Sequence, residues 1–320
     1  MQPHNTNKTQ REKDYVAVQV NKEVKALLAL IDDPDSEVYA TVVSKLMNYG
    51  PEIIPSLEQL WEVTVDETIQ QRIEQLIHEV QFQDLQQDFS EWSRAEQPEL
   101  LRGAILIARY QYPQLNVAAI LAQFDKIRKN VWLELNNYLA PLEQVNVFNS
   151  ILYSFYKLQG HELSERDPNH FFINKVIESR QGNSYSIGIL YLALCEILDI
   201  PIFAVDIPRQ FIFAYIYMHP DLFAADDDDV FPHHKVQFFV DPIGGAIYSQ
   251  GDVDTYLRKI NAPDRELYMN PIMNKKIIWK MLEELCLCYR YKKEDDKAQD
   301  IQQLMQLIND DLFDDKEKED

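Results

Sequence analysis

Several polar side chains of this 320-residue chain are of the types that enzymes use as nucleophiles and bases. Ser184 and Ser186 stand at the start of an apolar run that reaches Leu198, so their hydroxyls lie at the predicted N-terminus of a helix. A serine there commonly caps the helix, because its oxygen accepts a hydrogen bond from a free backbone N–H group. Capping and nucleophilic attack are therefore the two interpretations of both serines.

Asp241, Gln210 and two histidines complete the set of candidates. Asp241 precedes a proline at the predicted end of a strand, where an aspartate serves as a turn former or as a site residue. Gln210 is a neutral amide that cannot accept a proton, so it cannot act as a general base. An enzyme that used Ser184 would need another base, and His161 and His170 are the obvious sources.

Metal and thiol chemistry receive little support from the sequence. His233 and His234 follow the acidic run Asp226 to Asp229, but adjacent histidines in a loop rarely form a closed metal site without further ligands. Cys195 lies inside the apolar helical run and is predicted to be a core residue. The other two cysteines are two residues apart on a predicted helix and point in different directions. We predict no metal and no cofactor.

The elements that position these residues are predicted to be mostly helical. Apolar residues recur at helical spacing over residues 22–87, 100–110, 117–139, 141–155, 169–180, 186–198, 277–291 and 296–308. Strand-like runs follow Leu198, at Ile202 to Val205, Phe211 to Tyr217, Val236 to Val240 and Ala246 to Tyr248. Two glycines between the last two runs favour a hairpin turn. The predicted fold class is α+β, mostly helical, with a small antiparallel sheet.

Charge and composition exclude several classes of partner. The formal net charge of −21 repels a phosphate backbone and an anionic membrane surface, so we expect neither nucleic acid nor membrane as a partner. The first residues contain no apolar run, and no stretch reaches the roughly 18 apolar residues of a membrane span. Three cysteines, an odd number, argue against a disulfide framework. We expect a cytoplasmic protein, and the oligomeric state stays open.

Five short motifs occur in an order that is characteristic of a bacterial protein family. They are Leu100 to Arg109 with Tyr112-Pro113, Asn174 to Val176 with Arg180 and Gly182, Ser186-Ile187 with Leu190-Tyr191, Pro208 to Phe211, and Asp241-Pro242. This order resembles the transglutaminase-like core, in its SirB-type branch, over roughly residues 97–262. The resemblance implies a papain-like core at residues 96–265. We expect around it a flexible arm (1–20), a HEAT-like helical region (21–95), a tetratricopeptide-like helical hairpin (266–309) and an acidic tail (310–320).

The resemblance also assigns positions to a catalytic site. Catalytic members of the superfamily use a cysteine at a helix N-terminus, a histidine on a facing strand and an aspartate on the next strand. Here the nucleophile position falls at or near Ser184, the histidine position falls on Gln210, and the aspartate is kept as Asp241. The thiol and the imidazole are both replaced, which implies a degenerate site.

Three functions are consistent with these residues. The first is a non-catalytic module that binds a protein or peptide through the degenerate cleft or a helical groove. The second is a hydrolase or acyl transferase that uses Ser184 or Ser186 with Asp241, with Gln210 donating to an oxyanion. The third is a structural or regulatory protein whose core binds nothing.

Overall fold

The computed structural model describes residues 22–217, 235–262 and 268–313. These residues have the predicted α+β architecture, in which helices dominate and the sheets are small. The predicted arm at 1–20, the run Asp226 to Asp229, His233 and His234 lie outside the described residues. The chain divides into two compact units between Gln87 and Asp88.

The first unit is helical. Its elements are α1 (residues 22–28), α2 (Ser36–Met47), a 3-10 turn (Gly50–Ile53), α3 (Ile54–Val63) and most of α4 (Glu67–Ser93). Asp35 caps α2, where its side chain accepts a hydrogen bond from the Glu37 N–H group. The core of this unit consists of aliphatic side chains at helical spacing, among them Leu46, Leu57 and Ile73.

The second unit contains the remaining helices and both sheets. Its helices after α4 are α5 (Leu100–Gln111), α6 (Val117–Glu134), α7 (Pro141–Asn149), α8 (Ile173–Ser179), α9 (Ser184–Ile197), α10 (Gln250–Lys259), α11 (Asn274–Tyr291) and α12 (Asp295–Phe313). Helix α6 ends at Glu134, five residues before the predicted end, and α12 continues past the predicted start of the acidic tail. Helices α11 and α12 pack against each other, with the Cys286 thiol near the Ala298 carbonyl.

Helix α9 is the central element of the second unit. Every residue from Ser184 to Cys195 is buried, which explains why its sequence is apolar on all sides. The Tyr191 ring stacks on Phe148 of α7, at 5.0 Å between ring centroids, and also packs against Phe213. Because α9 is packed on all sides, the residues of its first turn are held in a fixed position.

A four-stranded antiparallel sheet lies beside α9 in the described residues. Its strands are β3 (Ile202–Val205), β4 (Ile212–Tyr217), β5 (Lys235–Val240) and β6 (Ile247–Tyr248), in the order β3-β4-β5-β6. All four match predicted runs within a residue or two, and the antiparallel arrangement is confirmed. Helix α10 covers one face of the sheet through Val253 and Leu257.

A second, two-stranded sheet is absent from the sequence-based prediction. Strands β1 (Gln159–His161) and β2 (Gln181–Asn183) pair in parallel, and His161 lies opposite Asn183. The helix predicted at 169–180 is instead a 3-10 turn, Pro168–Phe171, followed by α8. Arg180 ends α8 in the left-handed conformation, with φ of 66°, and this turn directs the chain into β2. None of the helices in the described part of the chain has both the length and the apolar character that a bilayer crossing requires.

Candidate functional site

The first turn of α9 is capped by a residue that the sequence analysis did not single out. Asn183 is the N-cap, and its side-chain oxygen accepts hydrogen bonds from the N–H groups of Tyr185 and Ser186, each at 3.0 Å. The prediction that Ser184 is the N-cap is therefore wrong by one residue, because β2 carries the extended conformation as far as Asn183. Ser184 is the first helical residue and is 8% exposed.

The hydroxyl of Ser186 is fully engaged in structural hydrogen bonds. It donates to the backbone carbonyl of His170 at 2.6 Å and accepts from the Asn183 N–H group at 3.0 Å. The residue is 1% exposed. Its contact with His170 is to the main chain and not to the imidazole, so this pair is not the serine–base pair that an enzyme of the proposed kind would require.

Gln210 and Asp241 lie together on the wall of one cavity of about 410 Å³. The wall combines aromatic and acidic side chains, and its other members include Phe211, Tyr248, Asp252 and Tyr256. Neither Ser184 nor Ser186 is among the described residues that line it. The cavity thus brings together two of the four candidate residues, Gln210 and Asp241, and leaves out both serines.

The α9 first turn lies behind the cavity wall. The Phe211 ring stacks on Tyr185, with ring centroids 4.5 Å apart, and Phe211 also touches Gly188 on the next turn of the helix. A side chain at Gly188 would meet the Phe211 ring at 2.6 Å. Close packing of α9 on the strand that follows Gln210 therefore explains why the serines do not line the cavity.

Asp241 has a clear structural role beside its place in the cavity. Its carboxylate accepts a hydrogen bond from the Ile243 N–H group at 2.9 Å, which forms the turn between β5 and β6. The Tyr153 hydroxyl donates to the Pro242 carbonyl at 2.6 Å. Burial raises the pKa of Tyr153, and the nearby negative charge of Asp241 raises it further, so the phenol stays protonated as a donor.

Asp252 adds a second negative charge to the cavity wall. Hydrogen bonds from the hydroxyl and N–H groups of Ser249 lower the pKa of Asp252, so its carboxylate is ionised at neutral pH. The same bonds cap α10. The acidic side of the cavity is thus fixed in place by local capping interactions.

His161 and His170 stack on each other at the N-terminal side of α9. Their ring centroids are 3.9 Å apart and their planes differ by 16°. Glu165 binds the Nδ1 atom of His161 at 2.9 Å. Burial of the His170 ring, together with the neighbouring His161, lowers the pKa of His170, so this imidazole is neutral at pH 7. Sequence reasoning noted both histidines but did not anticipate the parallel β1–β2 pairing that places His161 beside the α9 cap.

The cysteines of the chain are free and buried. Cys195 lies in the core at 1% exposure, as predicted, and burial raises the pKa of its thiol well above the ordinary value. Burial likewise raises the pKa of Cys288, to about 11. A thiol with a raised pKa is a weak nucleophile at neutral pH, so neither Cys195 nor Cys288 is a candidate nucleophile.

The sequence is similar to a known protein family. The sequence model of the transglutaminase-like superfamily matches residues 118–283, from the start of α6 into α11. The UPF0162 protein BU173 of Buchnera aphidicola subsp. Acyrthosiphon pisum (strain APS) is 23% identical over 229 residues, which are 69% of this chain and 76% of that protein. No solved structure matches the chain.

Two further relatives cover smaller parts of the chain. A UPF0162 protein of Xylella fastidiosa (strain Temecula1 / ATCC 700964) is 29% identical over 117 residues, 35% of this chain and 40% of that protein. The UPF0162 protein YchA of Escherichia coli (strain K12) is 22% identical over 192 residues, 58% of this chain and 65% of that protein. The chain thus matches less than two thirds of the length of these two relatives.

Proposed function

The chain belongs to the transglutaminase-like superfamily, and on that premise we propose that it is a non-catalytic module that binds a protein or peptide. One observation carries the proposal. Gln210 and Asp241 lie together on a cavity that neither Ser184 nor Ser186 lines. The Ser186 hydroxyl is in addition bonded to the α9 cap and to the His170 carbonyl. A cleft without an available nucleophile or base retains the capacity to bind but not the means to transfer an acyl group.

The chemistry of the cavity wall favours a basic peptide segment. Asp241 and Asp252 supply negative charge, and the rings of Phe211, Tyr248 and Tyr256 supply apolar surface. A lysine or arginine beside an aromatic or aliphatic residue satisfies both features, because its ammonium or guanidinium group pairs with a carboxylate while its neighbour fills the apolar space. The net charge of −21 attracts such a segment over longer distances.

The finer assignments belong to the same proposal. We place the chain in the SirB-type branch, with a degenerate transglutaminase-like core, a HEAT-like helical region before it and a tetratricopeptide-like hairpin after it. The paired helices of the first unit and the α11–α12 hairpin support the two helical assignments. The free cysteines support a reducing compartment, the cytoplasm.

A peptide display library panned on the full chain tests the proposal. We expect the enriched peptides to combine a basic residue with an apolar neighbour. The affinity of one such synthetic peptide is then measured by calorimetry for the wild type, for Asp241→Asn and for Gln210→Ala. Asparagine keeps the oxygen that accepts from Ile243, so Asp241→Asn removes the charge while the turn is retained. We expect each cavity variant to weaken binding about tenfold, the size of one charge-assisted contact of about 1.4 kcal/mol.

Variants of the helical hairpin provide the matched control. Leu287 and Met305 lie on a separate cavity of about 310 Å³ between α11 and α12. Leu287→Ser and Met305→Ser leave peptide affinity unchanged if the Gln210–Asp241 cavity is the binding site. Loss of binding in the hairpin variants, with full binding in Asp241→Asn, would show that the peptide binds at the hairpin and would refute the assignment to the core.

A further inference from the structure

A second cluster of chemically active side chains lies outside the lining of the cavity. His161, Glu165 and His170 each offer one donor atom, and these atoms all lie within 4.8 Å of one another. We propose that these three side chains form a binding site for a divalent transition-metal ion, with Zn²⁺ as the best fit. This site is independent of peptide binding, since none of the three residues lines the Gln210–Asp241 cavity.

The strongest indication is a buried lone pair on His161. The Nδ1 atom of this ring lies 2.9 Å from a Glu165 carboxylate oxygen, so Nδ1 carries the proton in the neutral ring. The lone pair then resides on Nε2, which is buried and has no hydrogen-bond partner in the described part of the chain. A buried acceptor without a donor is destabilising, and a metal ion is the electron-pair acceptor that this atom lacks.

Glu165 and His161 together form an arrangement that metal sites use widely. A carboxylate that accepts from one ring nitrogen of a histidine fixes the tautomer and makes the other nitrogen a better ligand. Glu165 therefore contributes to affinity whether its carboxylate binds the ion or orients His161. Its side chain is 47% exposed, which gives an ion access from solvent.

The backbone around the cluster is held from several sides. His161 ends β1 and pairs with Asn183, and the His170 carbonyl accepts from the Ser186 hydroxyl. The Asp167 side chain caps the turn that carries His170 and lies 4.0 Å from its Nε2 atom. Such preorganisation lowers the cost of assembling the ligands, because the two histidines are already adjacent before an ion binds.

The ligand set determines which metals fit. Two imidazoles and a carboxylate suit zinc and its neighbours, whereas magnesium and calcium prefer sites made of oxygen atoms alone. Ligand atoms of a tetrahedral zinc ion lie about 3.4 Å apart, from bonds of about 2.0–2.1 Å, so the donors approach on binding. Because ring lone pairs lie in the ring planes, the stacked imidazoles also turn out of their near-parallel arrangement. Three protein ligands leave a fourth position for water.

Calorimetric titration of the EDTA-treated full chain with ZnCl₂ tests the proposal. His233 and His234 are removed first, in the double variant His233→Gln/His234→Gln, because adjacent histidines bind zinc adventitiously. We expect this background to keep one zinc site and to bind neither Mg²⁺ nor Ca²⁺. Adding Glu165→Gln is expected to lower zinc affinity by about 10–100-fold, and adding His161→Gln is expected to abolish binding.

Glu165→Gln keeps the test valid if the histidine variants fold poorly. The glutamine retains an oxygen for the Glu162 N–H group and replaces an exposed side chain, so its circular dichroism is expected to match that of the background. The proposal is overturned if the background double variant no longer binds zinc. Equal zinc affinity with and without Glu165→Gln overturns it as well.

Discussion

At the scale of single residues, the Ser186 hydroxyl shows how one side chain can hold two separate backbone segments together. Ser186 satisfies two backbone groups at once, the Asn183 N–H group and the His170 carbonyl. The Asn183 group is buried and the His170 carbonyl partly buried, and an unpaired polar group is costly in such surroundings. Ser186 therefore has a structural role in the first turn of α9, where its hydroxyl joins the helix cap to the segment that carries His170.

Replacing Ser186 by alanine tests that role. We expect Ser186→Ala to lower the free energy of unfolding by about 2 kcal/mol, because it leaves a buried donor and a partly buried acceptor unpaired. Ser184→Ala is the matched control, and a change of at most about 0.5 kcal/mol is expected for it. Urea unfolding followed by circular dichroism measures both. Equal stability of the two variants would contradict the structural role of Ser186.

At the scale of elements, a pair of charges connects the sheet to the C-terminal hairpin. Asp206, directly after β3, lies 2.6 Å from the Lys276 ammonium and 2.5 Å from that of Lys280. The two lysines are four residues apart on α11 and so share a face of the helix. Burial alone raises the pKa of Asp206, but the hydrogen bonds from both lysines outweigh this effect and lower it.

The lowered pKa of Asp206 predicts a pH-dependent contribution to stability. A carboxylate whose pKa is lower in the folded state stabilises the fold above its unfolded value, about 3.9, and loses this effect as the pH falls further. We expect Asp206→Asn to lose about 1 kcal/mol at pH 7, since all three side chains are partly exposed. The difference from wild type is expected to shrink below about pH 4.

Unfolding midpoints measured from neutral to acidic pH check this prediction. The exposed Glu134→Gln variant removes a carboxylate from the end of α6 and serves as the control. A constant difference between wild type and Asp206→Asn across the whole range would show that the loss is steric rather than electrostatic.

At the scale of the whole molecule, the sequence predicts elements that depend on local periodicity and misses contacts between residues that are far apart in the chain. Helix α9 and strands β3 to β6 follow from apolar periodicity, which each segment carries by itself. The β1–β2 pair joins three-residue strands about twenty positions apart, too short for any periodic signal. Gly160 likewise has no local reason to be glycine. A side chain there would clash with the side chain of Ile243, a neighbour far along the sequence.

The candidate site divides in the same way. The sequence places Gln210 just before one predicted strand and Asp241 just after the next. In the structure both residues lie on the wall of one cavity. The cap at Asn183 and the contact of Ser186 with His170 depend on β2 and on a turn thirteen or more residues earlier. No single segment carries a signal for such long-range pairing, so it could not be predicted from the sequence.

The boundary between the two units gives a prediction for the whole chain. The sequence places the boundary at residues 95 and 96, whereas the structure divides between Gln87 and Asp88. Residues 88–95, which lie between the two boundaries, contact the second unit. The Trp92 indole donates to the Glu99 carbonyl, and its ring packs on Gly103. Ser93 donates to the Leu307 carbonyl. Trp92 is 1% exposed.

Two fragments distinguish these boundaries. We expect residues 88–320 to unfold cooperatively, because the fragment keeps Trp92 and its partners. Residues 96–320 lose the buried rings of Phe89 and Trp92 and are expected to be less stable by at least about 3–5 kcal/mol, the usual cost of removing one core aromatic side chain. Thermal unfolding followed by circular dichroism compares them. Equal midpoints for the two fragments would restore the boundary that the sequence predicts, since residues 88–95 would then contribute nothing to the second unit.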